Sequence, residues 1–73
     1  MVNDNEMNNE KAQVFLEKQI PVHIVVRDKD WANGFIKEIG SNFLILDEFK
    51  KGRLVIFFFE IITMDTFTKE VKE

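Results

Sequence analysis

The chain has no cysteine, no tyrosine, one proline, three glycines and a single histidine. Without cysteine there can be neither a disulfide nor a thiolate metal site, and one histidine alone cannot build a structural zinc centre. The longest unbroken apolar run, Leu54 to Phe59, is far shorter than the ~20 residues a membrane helix needs. Basic excess is also missing: ten Lys and Arg stand against thirteen Asp and Glu, a net charge of −3. That balance argues against a broad phosphate-gripping surface, although local basic patches stay open. The start, Met1 to Asn9, is polar and acidic, unlike a signal peptide, so the expected location is cytoplasmic with no membrane contact. No nucleophile motif, phosphate loop or dinucleotide fingerprint occurs, and the expectation is a non-enzyme without a cofactor or metal.

What is present is one small domain rich in phenylalanine. A chain of 73 residues buries only ~60% of the surface its unfolded form exposes, so its core is marginal. Disulfides, a metal or oligomerisation usually support such domains, and composition leaves the last of these. Eight phenylalanines and one tryptophan are many rings for so small an interior. Phe has no polar handle, which points to a dry surface between chains.

Along the chain, residues 1–8 read as a flexible lead-in, 9–67 as the folded domain and 68–73 as a charged tail. Asn8 or Asn9 is placed to cap a helix that runs to Lys18 or Gln19, with Ala12, Phe15 and Leu16 on one face. Pro21 ends it. Val22 to Asp28 is a β-branched strand. Trp31 to Ile39 is the second, with Gly34 marking a sharp bend. Phe43 to Glu48, Arg53 to Phe59 and Ile61 to Phe67 follow, separated by Gly40-Ser41-Asn42, Lys50-Lys51-Gly52 and Glu60. Turns at this spacing after one helix predict a mainly β fold: a short N-terminal helix, then a five-stranded, strongly bent small β-barrel.

The fourth strand breaks the alternation of a half-buried strand, because both of its faces are apolar. An uncovered strand of this kind invites pairing with another chain. Ile56, Phe57, Phe58, Phe59 and Ile61 are therefore the candidate subunit interface, with Phe57 and Phe59 on one face and Ile56 and Phe58 on the other. The alternative is a strand covered within the chain by the N-terminal helix.

The order of elements resembles the Sm-like family, in particular its bacterial Hfq branch. Pro21-Val22-His23-Ile24-Val25-Val26 is similar to that branch's opening strand, Gly34-Phe35-Ile36 to its second strand, and Ser41-Asn42-Phe43-Leu44-Ile45-Leu46 to its loop and third strand. Val55 to Ile61 lies where the family's second motif belongs. The likeness spans about residues 10 to 67. It implies rings of six or seven subunits, joined by the fourth strand of one chain and the fifth of the next, that bind single-stranded RNA around the pore or A-rich RNA on the opposite face. The residues also depart from the pattern. Gly40 or Ser41 stands where the family has Asp, and Phe57-Phe58-Phe59-Glu60 stands where it has Arg-Gly or a Tyr-Lys-His stretch.

Asn42 and Phe43 are the candidate RNA contacts at the loop, as base hydrogen-bonder and stacking ring, with Lys50, Lys51 and Arg53 giving electrostatic help. The competing readings are a turn asparagine, a core phenylalanine and a solvated basic turn. His23 has no recognisable co-ligand and reads as a surface or interface residue, Asp28 and Asp30 as hairpin acids, and Trp31 as an anchor or a stacking platform. Two other functions fit the same barrel: a protein–protein scaffold that has lost RNA binding, and a monomeric SH3-like adaptor.

Overall fold

The computed structural model describes residues 4–28 and 30–68. Lys29, the first three residues of the expected lead-in and all of the expected charged tail except Thr68 lie outside them. Helix α1 spans Asp4–Lys18 and is followed by β1 (Val22–Val26), β2 (Trp31–Ile39), β3 (Phe43–Glu48), β4 (Gly52–Phe57), a single 3-10 turn η1 (Phe58–Glu60) and β5 (Ile61–Thr66).

The helix starts at Asp4, ahead of the expected cap. Asn8 and Asn9 therefore do different work. Asn8 Nδ2 donates to the Phe58 carbonyl (3.2 Å) and Asn9 Nδ2 to the Gly40 carbonyl (3.4 Å), tying the helix to η1 and to the β2–β3 loop. Ala12 and Phe15 face the core and Leu16 packs beside them. At the C-terminus Gln19 takes a left-handed φ of 54°. The Ile20 N–H reaches back to the Phe15 carbonyl and the Gln19 N–H to Leu16, which satisfies the helix-end carbonyls before Pro21.

The five strands form one antiparallel sheet in the order β4-β3-β2-β1-β5. Its inner face supplies Val22, Ile24, Ala32, Ile36, Leu44, Leu46, Ile56 and Met64, all buried, and Phe58 of η1 completes the core. Period-two alternation accounts for this set. Gly34 is needed where β2 meets β3: a Cβ there would lie 2.1 Å from the Asp47 carbonyl oxygen. A register shift between Ile36 and Glu38 adds a second irregularity to the same strand, and bulges of this kind bend a strand. Gly34→Ala is expected to push β2 off β3 and destabilise the fold severely. A thermal melt checks this, and an unchanged midpoint would show that the two backbones separate without cost.

The sheet is not closed, which corrects the expectation of a closed barrel. Strand β4 ends at Phe57 rather than Phe59, and η1 carries the chain away from it to β5 at the far side of the sheet. Arg27 holds that crossing in place: its backbone N–H donates to the Glu60 carbonyl (2.9 Å) and its Nε to the Phe59 carbonyl (2.8 Å). Strands β4 and β5 are consequently the two edges.

Candidate assembly edges and nucleic-acid contacts

The face of each residue in the apolar strand is now defined. Ile56 (6% exposed) and Phe58 (0%) fill the core of their own chain, while Val55, Phe57 and Phe59 are exposed. Ile61 packs against the core from its edge. Of the five expected interface residues, Phe57 and Phe59 are thus the ones whose rings are available to a neighbour. The two rings stack 5.8 Å apart at 22°, and Phe43 meets Phe57 edge-on at 6.3 Å. Together with Val55 they make an aromatic patch along the β4 edge. At the β5 edge Ile62 and Met7, both largely exposed, line a groove between α1 and β5 together with Met64 and the polar Asn8, Lys11, Thr63 and Asp65.

The backbone groups at the two edges follow from the ladders. The Phe58 N–H donates to the Asn42 carbonyl. In the β3–β4 register, hydrogen-bonded pairs alternate from that point, so Leu54 and Ile56 bond to β3 while Arg53, Val55 and Phe57 turn their N–H and C=O groups outward. The Phe67 N–H donates to Pro21, so Asp65 and Thr63 bond to β1 while Thr66 and Met64 present theirs to the open edge. Among the described residues both edges carry backbone groups without a strand partner beside apolar side chains, a template for adding a strand.

The five expected RNA contacts do not form one cluster. Asn42 and Phe43 lie at the start of β3, and Lys50 and Lys51 lie in the turn after it. A strand of that length holds the two groups roughly 20 Å apart at ~3.3 Å per residue. Asn42 is exposed. Phe43 is half-buried on the outer face rather than in the core, and its ring lies over Gly40, where a Cβ would come within 2.1 Å of it. Arg53 lies in β4 opposite Asp47. The first turn and the third lie on the same side, since Asp30 and Trp31 share a cleft with Lys50 and Lys51. His23 Nδ1 and Asn33 Oδ1 are hydrogen-bonded across the β1–β2 pair. Among the described residues no group of three or more His, Cys, Asp or Glu is placed to hold a metal, and no helix is long and apolar enough to cross a membrane.

Glu48, which sequence patterning leaves without a role, organises the basic turn. It is 7% exposed. Its Oε1 accepts the backbone N–H groups of Lys51 (2.7 Å) and Lys50 (2.8 Å), and its Oε2 accepts that of Asn33 (3.2 Å). A signal for this does exist in the sequence, because Leu44, Leu46 and Glu48 share one face by period two. The Lys51, Lys50 and Asn33 N–H groups hold its carboxyl below the ordinary value of 4.5, against the opposing effect of burial. A folded-state value lower than the unfolded one means that the unfolded chain binds more protons in this window. The stabilisation is therefore present above about pH 4.5 and is lost as pH falls through the lowered value. Melting temperature should drop across that acid limb in the natural chain, and Glu48→Gln should flatten the drop. Parallel acid limbs in the two proteins would remove Glu48 as its source.

No family model matches the chain, and no curated protein is significantly similar to it in sequence.

Proposed function

We propose that the chain is a homo-oligomeric, Sm-like ring protein that binds single-stranded RNA. The observation that carries the assembly is the pair of open sheet edges. The resemblance implies joining through the fourth and fifth strands, and β4 and β5 are the strands left at the edges of the sheet. An aromatic patch lines one edge, and a groove of mixed polar and apolar lining that holds Met7 and Ile62 lines the other. Contacts of this head-to-tail kind repeat around an axis and close into rings when the rotation allows. In such an assembly the neighbour's β4 completes the barrel that the single chain leaves open.

RNA binding is supported by the exposed polar and basic groups at the two ends of β3, Asn42 at one and Lys50 and Lys51 at the other. The net charge of −3 favours a second reading, a protein scaffold on the same assembly. Native mass spectrometry of protein purified without nuclease separates these. A six- or seven-fold mass carrying nuclease-sensitive material supports the ring and its RNA. The same mass carrying a defined protein selects the scaffold. A monomer at every concentration overturns the assembly and leaves an SH3-like adaptor.

A further inference from the structure

Three aromatic residues far apart in sequence meet on the outer face of the sheet. Trp31 opens β2, Phe49 sits in the β3–β4 turn, and Phe67 follows β5. The Phe49 ring meets Phe67 edge-on at 5.4 Å and Phe35 at 5.8 Å. Trp31 is 58% exposed and Phe49 51%. With Asn33, Lys50 and Lys51 they line a cleft of about 420 Å³, within the size range of small-ligand sites. Two carboxylates border it. Asp30 Oδ1 accepts the Trp31 backbone N–H (2.9 Å), and Glu48 is taken up by its three backbone donors. Folding does not require an indole and a phenyl ring in water beside two lysines. Single-stranded nucleic acid does use such a surface, with bases stacked on rings and phosphates on cations.

We infer that this cleft, and not the Asn42–Phe43 loop, is the principal contact for single-stranded RNA. Bases stack on Trp31 and Phe49, and Lys50 and Lys51 neutralise the flanking phosphates. The inference rests on the RNA-binding reading above and gives it a place on the molecule. Glu48 contributes by fixing the turn that carries both lysines. It does so through their backbone N–H groups, so removing the lysine side chains leaves the turn intact. In a ring the cleft repeats once per subunit, which gives a strand several stacking points in succession.

Trp31 is the sole tryptophan, so its fluorescence reports this cleft and no other place in the chain. The test titrates the assembled protein with twelve-nucleotide oligo(A) and oligo(U) at low salt. It is repeated for Trp31→Ala (by anisotropy of a labelled oligonucleotide), for Lys50→Ala/Lys51→Ala and for Asn42→Ala, with assembly mass and circular dichroism checked for each. The expected result is a change in Trp31 emission on binding. Trp31→Ala should weaken binding ~5- to 100-fold. The double lysine variant should bind more weakly, with a slope of log affinity against log salt shallower by roughly 0.7 for each phosphate that is no longer neutralised. Asn42→Ala should bind as the natural chain does. Tight binding that survives the Trp31 and lysine changes but fails in Asn42→Ala would overturn this site and leave the RNA reading standing. An intact assembly that binds neither oligonucleotide would overturn the RNA reading, and the site with it.

Discussion

Replacing Phe58 by alanine is expected to remove a large share of the stability of the folded chain. Phe58 is the largest fully buried side chain, at 0% exposure. Its backbone is engaged on both sides, its N–H by the Asn42 carbonyl and its carbonyl by Asn8 Nδ2. The helix, η1 and the inner sheet face close over its ring, so little can move in to fill the space. Truncations of this type cost about 3–5 kcal/mol. A domain of this length has ~4–11 kcal/mol in total, so the loss takes from about a third of it to all of it. Urea unfolding followed by circular dichroism checks it, with Phe59→Ala as the control. Phe59 is 55% exposed and its truncation should change the stability of the dissociated chain little. Equal midpoints for the two variants would mean that η1 is not part of the core.

That contrast also marks where sequence patterning stops being informative. The second and third strands are legible to the residue, because Trp31–Ile39 and Phe43–Glu48 are bounded by turn signals. The end of the helix is equally plain from Pro21. The break after Phe57 is not. Inward Ile56, outward Phe57, inward Phe58 and outward Phe59 continue a period of two straight through the 3-10 turn, so the burial pattern hides the change in backbone. The start of the helix is obscured because Asn8 and Asn9 read as caps, and their actual partners, Phe58 and Gly40, are 50 and 31 residues away.

The site is harder to read than the fold for a related reason. Grouping Asn42 and Phe43 with Lys50, Lys51 and Arg53 treats closeness along the chain as closeness in space, and an extended strand does the opposite. Trp31, Phe49 and Phe67 are brought together by strand order and register, with β2 between β3 and β1 and with β5 beyond. Local patterning carries no information on that order. Closure of the sheet is of the same kind, since it depends on which edge strands meet.

Phe57→Asp is expected to dissociate the proposed assembly while leaving the subunit folded. Phe57 is 39% exposed in the single chain, so an aspartate there can stay hydrated. In a dry contact the same carboxylate would be unpaired, at a cost of several kcal/mol per interface. Native mass should fall to that of one chain with unchanged circular dichroism. The outward-facing backbone groups also limit how the edges would meet in the proposed assembly. If β4 of one chain pairs antiparallel with β5 of the next, setting Arg53 opposite Thr66 and Val55 opposite Met64 joins outward groups of both edges and brings Phe57 beside Ile62. A shift by two residues would set Phe57 against Glu60 in one direction and against Met64 in the other. In the unshifted register the outer face of β4 would continue the inner face of the neighbour's β5, and Val55 and Phe57 would lie over the groove at Met7 and Ile62. Leu54 falls opposite Asp65 in a non-hydrogen-bonded pair, the closer of the two kinds. In a chain without cysteine, Leu54→Cys/Asp65→Cys should therefore oxidise to a ladder of covalent multimers, and Leu54→Cys/Thr63→Cys should not. A ladder from the second pair alone would keep the edges as the interface and move the register by two. A ladder from neither, with assembly intact, would place the contact elsewhere on the subunit.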